Sequence, residues 1–140
     1  MTPTLRIAAL CLFLAASPAS RAQQAPPPAD RVVLQVSDED PKKWALALNN
    51  ARNIQVDLGG KVEVEIVAYG PGIGMLKADA LVANRVLDAM AGGIRVVACE
   101  NTMTNQKIAK DDMIAGIGYV KAGVVAIMRR QQAGWAYIRP

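Results

Sequence analysis

Residues 31–69 read RVVLQVSDEDPKKWALALNNARNIQVDLGGKVEVEIVAY, and this stretch decides the fold. Arg31 to Val36 is rich in β-branched side chains and reads as a strand. Ser37 to Asp40 is a polar turn, with Asp40 placed to cap a helix and Pro41 at its first position. Trp44, Ala47, Leu48, Ala51, Ile54 and Leu58 then recur at spacings of three and four, which makes one apolar helix face. Gly59-Gly60 ends the helix. From Lys61 the chain is extended again. Val62, Val64 and Ile66 share one face, Glu63 and Glu65 the other. The strand closes in the apolar run Ile66 to Tyr69, as a strand covered on both sides does.

The alternation continues downstream. A second helix is expected over 79–91, with Leu81, Val82, Val86, Leu87 and Met90 inward and Gly92-Gly93 at its end. Ile94 to Ala98 is a third strand, with Cys99 at its carboxyl end. Asn101-Thr102 can cap a short helix over 103–108. A fourth strand is expected over 117–120, a fourth helix over 123–132 and a fifth strand over 135–138. Strands alternating with helices predict an α/β domain with a mostly parallel sheet and helices on both faces.

The first residues have a different grammar. Arg6 precedes the apolar run Ile7 to Ala16, and small residues follow in Ser17 to Ala22. That is the order of a secretory signal, and the run is too short to span a bilayer. Residues 1–22 are therefore expected to be a signal peptide cut after Ala22, which places the mature protein in the periplasm or outside the cell. No membrane association is expected after cleavage. Cys11 lies mid-run behind Leu10, where a lipid-attachment signal requires a small residue. Residues 23–30 form a proline-rich linker, and residues 31–140 form the single folded domain.

Composition excludes several functions. The chain has a net charge of +4, and loss of Arg6 and Arg21 with the leader lowers the mature charge by two. The remaining basic residues are scattered, which argues against nucleic acid. There is no histidine. Without histidine, and with Cys99 as the single cysteine beyond the leader, the usual zinc, copper and haem ligand sets are missing and no metal site is expected. Serine or cysteine nucleophiles activated by histidine are excluded as well.

Ligands of open α/β sheets gather beyond the carboxyl ends of the strands. Three features fall there: the acidic turn Ser37 to Asp40, the loop Gly70-Pro-Gly-Ile-Gly74, and Cys99 with Asn101 and Thr102. The acidic turn reads as a solvated helix cap. The loop lacks the immediate helix and the distant acid of a dinucleotide fingerprint, and Pro71 removes an amide donor, so it reads as a tight turn. Gly70, Gly72 and Gly74 remain candidates for the lining of a pocket. Amides after Cys99 would stabilise a thiolate, whereas Glu100 would oppose it.

The segments Val96 to Met103 (VVACENTM), Tyr69-Gly-Pro-Gly72 and Gly134 to Pro140 (GWAYIRP) together resemble the DsrE/DsrF-like family, in its exported branch. The likeness covers about residues 31–140. It implies a three-layer α/β/α fold with a five-stranded parallel sheet, flavodoxin-like in outline, and assembly into a homo-oligomer. It also implies a sulfur-relay role in which Cys99 carries sulfane sulfur as a persulfide, supported by Asn101 and Thr102. Such a carrier exchanges sulfur with a thiol-bearing donor or acceptor protein and needs no organic cofactor. The alternative is a non-enzymatic oligomeric binding protein of the periplasm in which Cys99 is a structural residue.

Overall fold

A computed structural model describes residues 29–140; the expected signal peptide and most of the linker lie outside the described residues. The strands are β1 (Asp30–Val36), β2 (Val62–Ala68), β3 (Arg95–Cys99), β4 (Gly118–Val120) and β5 (Ala136–Ile138). The α-helices are α1 (Pro41–Asp57), α2 (Ala83–Ala91), α3 (Glu100–Gln106) and α4 (Gly123–Gln132). The five strands form one sheet in the order β4-β3-β2-β1-β5, and every pairing is parallel. The first strand opens at Asp30, one residue before the expected domain boundary.

Strand alternation divides the core in two. Val32, Leu34, Val36, Val64, Ile66, Ala68, Val96 and Ala98 pack with Trp44, Ala47, Leu48 and Ala51 of α1 and with Val86 of α2. Val33, Val67 and Val97 face the other way, onto Ile127 of α4 and onto Trp135. This is a three-layer α/β/α arrangement in which α4 alone covers the second face. As expected, Asp40 caps α1: its carboxylate accepts from the Lys42 amide at 2.8 Å.

Two helices depart from expectation. Helix α2 starts at Ala83 rather than at residue 79, because residues 79–82 form turns in which Ala80 and Ala83 donate to Lys77 and Ala80. Leu81, expected inward, is therefore 87 % exposed. Leu87 is exposed as well. Helix α3 starts at Glu100 directly out of β3, with Cys99 itself, in extended conformation, at the cap position. Asn101 and Thr102 thus lie in its first turn instead of capping a helix from residue 103. The helix ends at Gln106 and is capped by Lys107, the one described non-glycine residue with positive φ.

Candidate functional site

Cys99 lies at the carboxyl end of β3 with its side chain on the same sheet face as Val97, the face covered by α4. It is 5 % exposed. Its thiol points to the carbonyl oxygen of Lys121 at a long 3.9 Å. Burial pushes the thiol pKa up. The Thr102 hydroxyl and the amides of Gly123, Thr102 and Asn101 all favour the thiolate, and together they hold the pKa below its ordinary value. The Asn101 amide also donates to Lys121 O at 3.1 Å, so its share is divided. The donors come from two directions: the first turn of α3 and the first residue of α4.

Thr102 is the hinge pin of the site. It is buried, and its oxygen accepts from the Gly70 amide at 2.9 Å. One turn further along α3, Gln106 donates to the Gly70 carbonyl at 3.2 Å. Both backbone groups of Gly70 are thereby held by α3. Asn101, by contrast, is exposed and contributes its amide rather than its side chain.

The glycine segment is a 3-10 helix over Gly70–Leu76 that sinks into the core through Gly72, Ile73, Met75 and Leu76. Each glycine has a backbone or packing reason. Gly70 has φ +55, the left-handed region that favours glycine. A side chain on Gly72 would run into the Val36 carbonyl and come within 2.8 Å of Ser37 Cα. One on Gly74 would meet the Trp44 ring at 3.1 Å. Only Gly70 reaches the Cys99 site, and it does so through Thr102.

Gly123 is a member of the site that the sequence reading missed. Its amide faces the sulfur, and the space where its Cβ would stand is closed by Tyr69, 3.0 Å away. No local signal marks it, because its role depends on where α4 crosses the end of β3. The Glu100 carboxylate, expected to oppose the thiolate, pairs with Lys110 at 3.3 Å, and the Thr102 hydroxyl and the nearby amides weigh more on the thiol than it does. In the acidic turn, Asp38 pairs with Lys43 at 3.1 Å and Arg139 at 3.5 Å. Among the described residues no group of three His, Cys, Asp or Glu could hold a metal ion. No described helix is long and apolar enough to cross a membrane.

Among solved structures, the protein of unknown function MTH1491 from Methanobacterium thermoautotrophicum is 38 % identical, with a TM-score of 0.76 over 79 % of this chain and 99 % of that one. The chain belongs to the MTH1491 family. Two more distant structures share the fold alone. BT1422 from Bacteroides thetaiotaomicron, a conserved protein of unknown function, is 17 % identical with a TM-score of 0.67, over 79 % of this chain and 95 % of that one. The ychN protein from E. coli is 9 % identical with a TM-score of 0.65, over 80 % of this chain and 99 % of that one. Both share the three-layer α/β/α architecture with this chain and with MTH1491. No family model and no curated protein matches the chain.

Proposed function

We propose that this member of the MTH1491 family is an exported sulfur-binding or sulfur-transfer protein with Cys99 as its persulfide carrier. The observation that supports this most is the set of hydrogen-bond donors around the Cys99 sulfur, which favour a thiolate inside an otherwise apolar strand end. The DsrE-like fold, shared with YchN, supports it from a second side.

In the proposed step the Cys99 thiolate attacks the outer sulfur of a donor persulfide. The new S–S bond forms at Cys99, the donor's S–S bond breaks, and the donor leaves as a thiolate. An acceptor thiolate then takes the outer sulfur and returns Cys99 to its starting state. No electrons are gained or lost overall, and no metal or organic cofactor takes part. The thiol-bearing donor and acceptor are partner molecules of the proposal. The outer side of α4, where Val124 is 61 % exposed and Val125 and Met128 are also exposed, supports assembly into a homo-oligomer.

The test is mass spectrometry of the native protein after incubation with inorganic polysulfide. A gain of one sulfur atom on Cys99, lost in Cys99→Ser, is the expected result. A Cys99 that gains no sulfur, and that reacts with alkylating agents only after denaturation, overturns the proposal. The low exposure of Cys99 favours that second reading, a periplasmic oligomeric binding protein with Cys99 packed as a structural residue.

A further inference from the structure

We infer that the cleft between α1 and α2 binds a small oxyanion, a carboxylate or a phosphate. The cleft has a volume of about 150 Å³, room for roughly five water molecules at ~30 Å³ each. Its floor is apolar, with Leu48, Ala89 and Ile94, and its walls are polar, with Asn49, Arg52 and Gln55 from α1 and Arg85 and Asp88 from α2. Ile94 stands at the opposite end of β3 from Cys99. Five residue steps separate them, about 16 Å at ~3.3 Å per step, so this site is spatially separate from the Cys99 site.

The placement of the two arginines carries the inference. Arg85 and Asp88 are one turn apart on α2, the spacing at which opposite charges commonly pair. They form no ion pair; Arg85 instead crosses the cleft and donates to Asn49 Oδ1 at 2.7 Å. A guanidinium has five N–H donors in a rigid fork, so this one bond orients Arg85 and leaves the rest of its fork available. Arg52, on the facing helix, makes no ion pair or side-chain hydrogen bond among the described residues. Gln55 is fixed by its own bond to Gly92 O at 3.0 Å, which closes one end of the cleft. Two guanidiniums from opposite walls, one oriented and neither paired with a carboxylate, stand over an apolar floor. This arrangement suits the paired oxygens of a carboxylate or phosphate. Asp88 opposes the anion, and the cleft keeps a net charge of about +1.

The experiment is a titration of the purified protein with inorganic phosphate and with acetate, followed by backbone and side-chain amide NMR at ionic strength held constant with chloride. Saturable shifts centred on Asn49, Gln55 and Gly92 are expected with at least one of the two anions. Saturation by phosphate alone identifies a phosphate ligand, and saturation by acetate a carboxylate one. Arg52→Gln and Arg85→Gln, both at exposed positions, should each weaken binding at least tenfold, while Asp88→Asn tightens it. Shifts that grow linearly with either anion, or a saturation unchanged in Arg52→Gln and Arg85→Gln, overturn the assignment.

Discussion

Thr102 holds Gly70 and Cys99 at once: its hydroxyl oxygen accepts the Gly70 amide at 2.9 Å, and the hydroxyl supports the thiolate of Cys99. One side chain therefore joins the turn after β2 to the end of β3. Thr102→Val keeps the shape but removes the bond to Gly70 and the hydroxyl that favours the thiolate. An amide left without a partner at this part-buried site costs up to ~1–3 kcal/mol. Cys99 also loses a group that favours its charged form. The pH midpoint of alkylation should start below that of a free thiol in the native protein and rise in Thr102→Val, while Thr102→Ser should restore it. A pH profile of iodoacetamide reaction, beside a urea melt, checks both effects.

Glu100 is next to Cys99 in sequence but is spent on Lys110. Glu100→Gln should leave the alkylation rate of Cys99 at neutral pH within about twofold, because a half-exposed charge beside a cation is well screened. A large acceleration would show that the carboxylate reaches the sulfur in solution.

Glu65 is 1 % exposed on the α4 face, and Arg130 grips it with two bonds of 2.9 and 2.7 Å. Arg95 adds a third contact at 3.2 Å, and the Arg130 guanidinium lies over the Trp135 ring at 4.4 Å. Removing Arg130 leaves the buried carboxylate with only the more exposed Arg95 as a partner, which costs up to ~3–5 kcal/mol. Arg130→Gln should therefore destabilise more than Glu65→Gln, since the partly exposed Arg130 can rehydrate when it loses its partner. Chemical denaturation of both variants gives the order.

Gly72→Ala should be among the most damaging small substitutions in the chain. The added methyl would meet backbone atoms of Val36 and Ser37, which cannot swing aside as a side chain can. Overpacking of this kind costs ~1–3 kcal/mol or more. Thermal melting compared with Gly59→Ala, where nothing lies within 4 Å but φ is +59, separates steric cost from conformational cost.

Most of the architecture could be read from local pattern. Helix α1 shows its cap, its proline and its apolar stripe within seventeen residues, and Trp44 is buried as that stripe requires. The parallel sheet follows from alternation alone. Leu81 misled because an apolar residue in a turn continues a helical pattern by coincidence. Glu65 was placed on the face opposite Val64 and Ile66, but nothing local showed that it is buried and paired, since its bidentate partner is 65 residues away. At the sulfur site, Cys99 and Thr102 were visible because they sit at a strand end. Gly123 was not, because it reaches the sulfur only through the packing of α4. The pairing of Arg85 with Asn49 was hidden for the same reason: it spans two helices.

Because α4 is the lone cover on its face of the sheet, the sulfur need not wait for the whole domain to unfold. Ile127, Trp135 and the Glu65–Arg130 pair fasten the helix, while its first residue closes over Cys99. Lifting that first turn is a local opening, far less costly than global unfolding. The observed reactivity of Cys99 then equals the fraction of time the turn is open multiplied by the reactivity of the exposed thiolate. Amide hydrogen exchange at the start of α4 and the rate of sulfur chemistry at Cys99 should accordingly rise and fall together across variants, so that the fastening of one helix sets the tempo of the site.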